Sequence, residues 1–264
     1  MTKSGVVVLV PSLKWAGGKR WLVPELQELW APYTHRRLVE PFVGGMAVAL
    51  GLAPGSALLN DVNRHLINFY RWLQRGLIVE MAMVNDKDTY YRHRQRFNDL
   101  IRQGQVDGRE AAWLFYYLNR TGFNGLCRFN RKGFFNVPFG RYETINYRTD
   151  FGAYSSTLSR WRITHGDFEE IELHPGDFVY ADPPYDVPFT SYSKGGFSWV
   201  DQVRLARWLS QHKGPVMTSN QATERIVRLY RACGFEIRLL DAPRRISCTG
   251  DRSPVKEILA TRGM

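Results

Sequence analysis

Cysteine is scarce in this sequence, and the cysteines that occur stand far apart. Cys127, Cys233 and Cys248 form no CxxC pair, so the sequence indicates neither a zinc site nor a disulfide framework. We therefore expect no metal ion. Such cysteine usage fits a reducing, cytosolic setting.

Long apolar runs are also absent. No stretch approaches the roughly 18 apolar residues that a membrane-spanning helix needs. The run VVVLV at residues 6–10 is too short and lacks the layout of a signal peptide, which leaves a short strand or a disordered leader. We expect no membrane partner.

Acidic residues are few relative to basic ones. The 264 residues include 36 Lys and Arg against 25 Asp and Glu, a formal charge of +11. An excess of this size favours a polyanionic partner such as nucleic acid, although a merely basic soluble protein is the alternative. Hydrophobic residues make up 44% of the chain, so a core is available and disorder is not expected.

Strand and helix patterns alternate at both ends of the chain. RLVEPFV (37–43) predicts a strand, MAVALGL (46–52) a helix and SALLND (56–61) a second strand. From residue 161 on, strand patterns return in WRITHGD, DFVYAD, PVMTSN, FEIRLL and VKEILAT, with helical patterns in VDQVRLARWLSQH and ATERIVRLYRAC. This alternation predicts an α/β fold with a doubly wound sheet.

The intervening region has a different pattern. Residues 63–119 contain three helical patterns, and residues 121–147 lose periodicity. Arg-Lys-Gly at 131–133 predicts a hairpin tip. We predict that residues 1–62 and 161–264 form one domain and that residues 63–160 are inserted between its second and third strands.

Two features of the first strands are typical of a nucleotide pocket. A glycine turn at residues 40–45 follows the first strand, where a ligand can approach the backbone. Asp61 ends the second strand and could accept hydrogen bonds from ribose hydroxyls. The spacing is not GxGxxG, and a tight turn with Asp61 as a helix cap is the alternative.

A third feature lies upstream of the first strand. KWAGGK (14–19) offers two lysines and a tryptophan around a glycine pair to a phosphate, a carboxylate or a base. It lacks the P-loop pattern GxxxxGK followed by Ser or Thr. An ATPase is therefore disfavoured.

The tetrapeptide Asp182-Pro183-Pro184-Tyr185 follows an apolar strand pattern. Prolines cannot continue a sheet, because they donate no backbone hydrogen bond. At the carboxyl end of a central strand, the Asp carboxylate and a proline carbonyl could hold the NH₂ of a planar ring on which the Tyr stacks. The nitrogen lone pair would then be nucleophilic. A strand end followed by a tight turn is the alternative.

The aperiodic segment mixes basic and aromatic side chains. Residues 119–148 hold six basic residues against one acid, with seven aromatic residues between them. Basic groups bind phosphates, arginine reads guanine in the major groove, and exposed rings stack on bases. A solvated basic loop with a small aromatic core is the alternative.

Taken together and in chain order, LKWAGGK, VEPFVGG, LND, NGLCRFNRKGFFNVPFGRY, HGDF and ADPPY resemble the motifs of the Dam-type DNA adenine-N6 methyltransferases of the alpha group, over nearly the whole chain. The resemblance implies a seven-stranded, Rossmann-like methyltransferase sheet with an inserted, mainly helical target-recognition domain. It also implies S-adenosyl-L-methionine as cofactor and double-stranded DNA as partner. No obligate protein partner is evident.

Matching positions imply the site residues. Those implied for the cofactor are Trp15, Lys19, Glu40, Phe42, Gly44, Asp61, Asp167, Phe168 and Asp182, with Asp61 on the ribose and Asp167-Phe168 on the adenine. Those implied for the target adenine are Asp182, Pro183, Pro184 and Tyr185. Those implied for DNA are Lys14, Phe123, Asn124, Leu126, Arg128, Pro138 and Arg141.

Two positions depart from the family pattern. Phe123 stands where the family often has Tyr, so a hydrogen bond is lost and stacking is kept. Gly44-Gly45-Met46 stands where Gly-Ala-Gly is common, so the cofactor loop is expected to differ slightly.

The activity that the resemblance implies is site-specific methylation of a flipped-out adenine, within GATC, in the cytoplasm and on the nucleoid. One alternative is a methyltransferase acting on an amine of RNA or protein, against which the arginine-aromatic segment argues. Another is a non-catalytic DNA-binding regulator, which would not need Asp61, Asp167 and Asp182 together.

Overall fold

The computed structural model describes residues 9–186, 196–243 and 255–264. Most of the VVVLV run and Cys248 lie outside these ranges. Within them the chain forms seven strands and eight α-helices. None of these helices is long and apolar enough to span a membrane.

The strands form one sheet in the order β3-β2-β1-β4-β5-β7-β6. β3, β2, β1, β4 and β5 run parallel to one another, and β7 runs antiparallel to both β5 and β6. The predicted seven-stranded α/β fold is confirmed. The strands are β1 (Leu38–Glu40), β2 (Ala57–Asp61), β3 (Trp161–His165), β4 (Phe178–Ala181), β5 (Val216–Gln221), β6 (Glu236–Ala242) and β7 (Val255–Arg262).

Four of the helices lie in the connection from β2 to β3, where the insertion was predicted. The helices are α1 (Val23–Trp30), α2 (Ala47–Leu52), α3 (Arg64–Gln74), α4 (Lys87–Arg102), α5 (Arg109–Thr121), α6 (Gly152–Leu158), α7 (Trp199–Gln211) and α8 (Glu224–Ala232). Leu66 and Phe69 of α3 share one continuous core with Leu38 and Leu59 of the sheet. The domain boundaries near residues 62 and 160 stay a prediction.

Helices cover both faces of the sheet, because successive strand residues point to opposite sides. Leu38, Leu59 and Phe178 pack with α1, α2 and α3. Val39 and Val179 pack with α7 and α8 on the other face. The central strands are therefore buried on both sides, and ligands can reach them only at their ends.

A side-chain hydrogen bond joins β2 and β3 in addition to their backbone pairing. Ala57 pairs with Trp161 at the start of the two strands. Near their carboxyl ends, Thr164 Oγ1 donates to Asn60 Oδ1 at 2.9 Å, although the two residues are 104 positions apart. These contacts place the ends of β2 and β3 side by side.

The hairpin predicted in the insertion is short. Phe129 and Phe135 form a single antiparallel bridge. Between them, Asn130 Oδ1 accepts hydrogen bonds from the Lys132 and Phe134 amides at 2.9 and 3.0 Å, and the Gly133 amide donates to Asn130 O at 2.8 Å. Residues 131–133 are thus the hairpin tip.

Candidate active site

A cavity of about 430 Å³ lies at the carboxyl ends of β1, β2, β3 and β4. Its lining residues come from the parts of the chain before and after the helical connection between β2 and β3. All residues predicted to hold the cofactor or the target adenine line it: Trp15, Lys19, Glu40, Phe42, Gly44, Asp61, Asp167, Phe168, Asp182, Pro183, Pro184 and Tyr185.

The buried amide of Asn60 ties the strand ends together beneath this cavity. Its Nδ2 donates to Pro41 O at 3.2 Å and to Gly166 O at 2.9 Å. Pro41 follows β1 and Gly166 follows β3, so one side chain on β2 fixes the loops that follow both neighbouring strands. Asn60 was not among the predicted site residues, although an amide next to Asp61 at the end of an apolar strand is a signal of a buried hydrogen-bonding residue.

The glycine turn after β1 is shaped by Trp15. The φ of Gly44 is +45°, and a Cβ there would lie 2.8 Å from Trp15 Nε1. A Cβ on Gly45 would lie 2.8 Å from Trp15 Cβ. Tyr70 Oη donates to Gly44 O at 2.6 Å. Both glycines are therefore required by the close approach of the indole and, at Gly44, by the left-handed backbone.

Asp61 faces the turn rather than the helix that follows it. Its Oδ2 accepts from the Gly44 amide at 3.0 Å, and its Oδ1 accepts from the Asn63 amide at 2.9 Å. Burial raises the pKa of Asp61, and these two amides oppose the rise. The cap of α3 is Asn63, whose side chain accepts from His65 and Leu66. Asp61 is thus not the helix cap.

Glu40 adds a second buried acid at the end of β1. Its carboxyl is almost fully buried, and its Oε1 has no hydrogen-bond partner in the described part of the chain. Burial raises the pKa of Glu40 well above its usual range, and the charge of Asp182 adds to the rise. A buried acceptor without a partner calls for a donor from a ligand.

Arg204 of α7 lines the side of the cavity formed by Asp167 and Phe168. It was not among the predicted site residues. Its Nη2 donates to Asp167 Oδ2 at 2.7 Å, and its guanidinium lies 4.7 Å from the centre of the Phe168 ring. Phe168 in turn packs on Phe42 with ring centres 5.6 Å apart. The ion pair and the two rings make a wall that is polar at its edge and apolar at its face.

Asp182 receives its protein contacts on a single oxygen. Its Oδ1 accepts from Ser219 Oγ at 2.8 Å and lies 3.0 Å from Lys19 Nζ. Ser219 Oγ is also 2.9 Å from the buried hydroxyl of Tyr180. Within the described ranges, no group donates to Asp182 Oδ2. The second oxygen is thus available to a ligand.

The prolines that follow are held by a buried amide chain. Gln202 Nε2 donates to Pro184 O at 2.8 Å, and Asn220 Nδ2 donates to Gln202 Oε1 at 3.0 Å. The Pro183 carbonyl has no such donor among the described residues. The protein therefore fixes the loop through the Pro184 carbonyl and leaves the Pro183 carbonyl without a protein donor in the described part of the chain.

Lys19 is the centre of the polar contacts at this end. It is only 3% exposed, and its Nζ donates to Tyr185 Oη at 2.6 Å and to Gly17 O at 2.9 Å. Glu257 of β7 lies 3.7 Å from the same nitrogen. Glu257 was not predicted, although a lone acid in the apolar pattern VKEILAT was its signal.

Lys14 lies apart from the cavity, near the aperiodic segment. The side-chain amide of Asn119 bonds both the Lys14 backbone amide and carbonyl at 2.8 Å. Lys14 Nζ lies 3.5 Å from the centre of the Tyr142 ring. Burial, with the charge of Arg120 adding to it, lowers the pKa of Lys14 to about 8. Lys14 lines a second cavity, of about 490 Å³, that shares Trp15 and Tyr185 with the first.

The other residues predicted to contact DNA lie on the surface segment 121–142. Phe123 is 46% exposed, and Asn124, Pro138 and Arg141 are exposed. Leu126 and Arg128 are half-buried. Arg128 Nε donates to Asn136 Oδ1 at 2.8 Å across the hairpin. The structure thus brings these residues to one surface rather than into a cavity.

Most of the seven aromatic rings in residues 119–148 pack inward. Of the seven rings, Phe123 and Tyr147 are exposed. Phe135 is buried, and Phe129 stacks on His65 with ring centres 4.8 Å apart. A small aromatic core therefore accounts for most of the pattern, and Phe123 is the exposed ring nearest the hairpin.

Comparisons with known proteins place the chain in a family. The family model described as D12 class N6 adenine-specific DNA methyltransferase matches residues 15–246. A type II methyltransferase of Lactococcus lactis subsp. cremoris is 37% identical over 96% of this chain and 95% of its own length. A retron DNA adenine methylase of Escherichia coli is 35% identical over 95% and 90%. A DNA adenine methylase of Vibrio cholerae is 36% identical over 94% of both chains.

The family match includes the glycine turn, the acid after β2 and the tetrapeptide after β4, all of which line the first cavity. The relatives cover almost the whole chain, so the likeness extends over the helical region between β2 and β3 as well. The chain belongs to the D12 class of N6 adenine-specific DNA methyltransferases.

Proposed function

We propose that this protein methylates N6 of an adenine flipped out of double-stranded DNA, within GATC, with S-adenosylmethionine as donor. The observation that carries the proposal is the state of Asp182. Its Oδ1 is held by Ser219 and lies beside Lys19, whereas no described group donates to its Oδ2. A carboxylate fixed through one oxygen and open at the other suits an exocyclic amine.

The cavity residues fit the donor. Glu40 provides a buried carboxyl oxygen without a partner, which suits a cationic or hydroxyl group. Asp61 is placed to accept ribose hydroxyls, and Phe42 with Phe168 offers an apolar face for a base. When bound, S-adenosylmethionine supplies a methyl group already activated by its sulfonium.

The target adenine is held at the mouth of the same cavity. Asp182 Oδ2 and the Pro183 carbonyl accept the two N6 hydrogens, and Tyr185 stacks on the ring. This arrangement keeps the N6 lone pair out of the ring system, where it would be free to take the methyl group that the bound donor would supply, leaving the donor as a neutral thioether. N6 then loses one proton, which Asp182 accepts and passes to water. Much of the rate comes from positioning.

The surface segment 121–142 is proposed to find the target. Lys14, Arg128 and Arg141 supply positive charge, and binding should weaken with salt as phosphate contacts are screened. Arg128, already oriented by Asn136, is placed to read a guanine edge. Phe123 inserts at the site that the flipped adenine leaves. The segment NGLCRFNRKGFFNVPFG supports GATC as the sequence read.

The experiment is expression in a host without adenine methylation, followed by direct single-molecule sequencing of its DNA. We expect methyl groups on GATC adenines, with none in cells that express Asp182→Ala. Methylation in another context would keep the reaction and overturn the specificity. Unmodified DNA from a folded, donor-binding protein would contradict the proposed reaction and favour an amine of RNA or protein.

A further inference from the structure

Glu257 is an acid buried in the middle of an apolar strand. It pairs with Gln221 of β5 and Leu240 of β6, and its neighbours Ile258 and Leu259 are fully buried. Glu257 itself is 8% exposed. Burying a carboxylate is costly unless a partner compensates it, so this position calls for a specific partner.

Lys19 compensates the charge without bonding to it. Three oxygens already lie within 3.0 Å of Lys19 Nζ, those of Gly17, Tyr185 and Asp182. An ammonium has three hydrogens to donate, so these contacts use all of them. Glu257 Oε2, at 3.7 Å, is an ion-pair partner beyond hydrogen-bonding distance.

The Tyr185 hydroxyl is the group that needs Glu257. Its oxygen accepts the Lys19 hydrogen bond, so its own hydrogen must point to another acceptor. Glu257 Oε2 is a buried acceptor without a hydrogen-bond partner in the described part of the chain, and Glu257 lines the second cavity together with Tyr185. Glu257 is therefore the unpartnered acceptor beside Lys19 to which the Tyr185 hydroxyl can donate.

Tyr185 stands between the two cavities, and its partners lie on opposite sides. Asp182 lines the first cavity, Glu257 lines the second, and Tyr185 lines both. The ring therefore separates the two cavities. The hydrogen bond from Lys19 holds its hydroxyl end. Its tilt sets the width of the space in which a flat ring can stack.

We propose that Glu257 is a positioning residue for methyl transfer, which acts by fixing the Tyr185 ring against the target base. This inference rests on the proposed function, because it takes Tyr185 as the stacking residue. Without the carboxylate, the Tyr185 hydrogen loses its acceptor, and the positive charge of Lys19 is balanced by Asp182 alone. Glu257 lies outside the lining of the first cavity, so donor affinity should be retained.

A double-mutant cycle of Glu257→Ala and Tyr185→Phe tests the proposed route. Single-turnover methylation of a GATC duplex is the measurement, with donor affinity measured by calorimetry. We expect Glu257→Ala to slow methyl transfer about tenfold, a size typical of directly coupled residues, with donor affinity within about twofold. The double variant should be no slower than Tyr185→Phe alone. Glu257→Gln, which keeps an acceptor for the hydroxyl, should recover part of the rate.

A control separates positioning from stability. Ile258→Val removes one buried methylene from the next residue of β7, which packs on the opposite face of the sheet, and should lower the melting temperature without changing the rate. Multiplying effects in the cycle would overturn the proposal. A methyl-transfer rate that falls in step with the melting temperature in both Glu257→Ala and Ile258→Val would also overturn the proposal.

An NMR experiment tests the contact between Glu257 and Tyr185 without measuring methyl transfer. In protein carrying ¹³C-labelled tyrosine, the ring signal missing from Tyr185→Phe identifies Tyr185. We expect this signal to shift or broaden in Glu257→Ala and to be unchanged in Ile258→Val. An unchanged signal would overturn the inference even in an active enzyme. A wild-type protein that methylates no DNA while the signal moves would contradict the proposed function and keep the contact.

Discussion

The cavity and the surface segment 121–142 differ in how far the protein has already paired their polar groups. In the cavity, Asp61, Asp182 and Lys19 each hold two or more partners at 3.0 Å or less. In the segment, Asn124 and Arg141 are exposed, and Phe123 presents almost half of its surface to water.

This difference predicts that substitutions in the two regions change different measured quantities. Groups fixed before a ligand arrives need no reorganisation when the reaction begins, so changes to them act on rate. Exposed groups gain their partners only on binding, so changes to them act on affinity and target choice.

The largest effect is expected at Asp182. Asp182→Ala should lower the rate of methyl transfer by about a thousandfold, in the range typical of a positioned group that handles a proton. DNA affinity should change little, because the surface segment stays in place. Single-turnover kinetics and calorimetry make the measurement, with the exposed acid in Glu224→Gln as control. A variant that kept most of its activity would remove Asp182 from the reaction.

A smaller effect is expected at the glycine turn. Gly44→Ala puts a Cβ 2.8 Å from Trp15 at a φ of +45°, and such strain costs about 1–3 kcal/mol. Donor affinity should fall about ten- to hundredfold as the turn shifts. Gly55→Ala is the matched control, because a Cβ there meets nothing within 4 Å. Equal losses of affinity in both variants would show that the turn is not specific to the donor.

Arg128 tests the surface segment at a half-buried residue that Asn136 already holds across the hairpin. Arg128→Ala should reduce the preference for GATC over near-cognate duplexes about tenfold, since a bidentate base contact contributes about 1–3 kcal/mol of discrimination. Donor affinity should be unchanged. Arg131→Ala, at the exposed hairpin tip, removes the same charge and should weaken binding to all duplexes alike. A uniform loss in Arg128→Ala as well would make Arg128 a phosphate contact.

The smallest effect concerns pH and Lys14. Its pKa is lowered to about 8 by burial and by Arg120, so the free protein loses this charge as the pH rises through 8. Bound phosphates favour the ammonium, so DNA binding takes up a proton, and affinity should fall about threefold between pH 7 and 9. Fluorescence anisotropy measures this loss. Lys14→Arg keeps its charge and should flatten the profile; an equal slope in both proteins would assign the titration elsewhere.

The strands could be predicted because their apolar runs are regular and their ends carry acids or glycines. Helix α1 was missed although Pro24 at its start and Glu25 in its first turn are sequence signals, whereas α6 could not be predicted. The sequence GAYSSTL of α6 has little helical propensity, and the helix forms because Tyr154 and Leu158 pack into the core. Tertiary packing, rather than the local pattern, decides such segments.

The cavity residues could be predicted because they directly follow parallel strands, whose carboxyl ends meet at one edge. Glu257 and Ser219 could not be assigned in the same way. Both reach the tetrapeptide only because β5 lies next to β4 and β7 lies next to β5. That strand order is a property of the folded sheet, and no pattern within VKEILAT or PVMTSN specifies it.

The bond between Asn60 and Thr164 also sets an order in time. The two residues are 104 positions apart, so a ribosome working at about 5–20 residues per second needs roughly 5–20 seconds between them. During that interval β2 lacks β3, and the loops tied by Asn60 cannot close. A chain interrupted within the helical connection therefore lacks the first cavity, and under the proposed function it cannot consume methyl donor before it has the segment that selects a target.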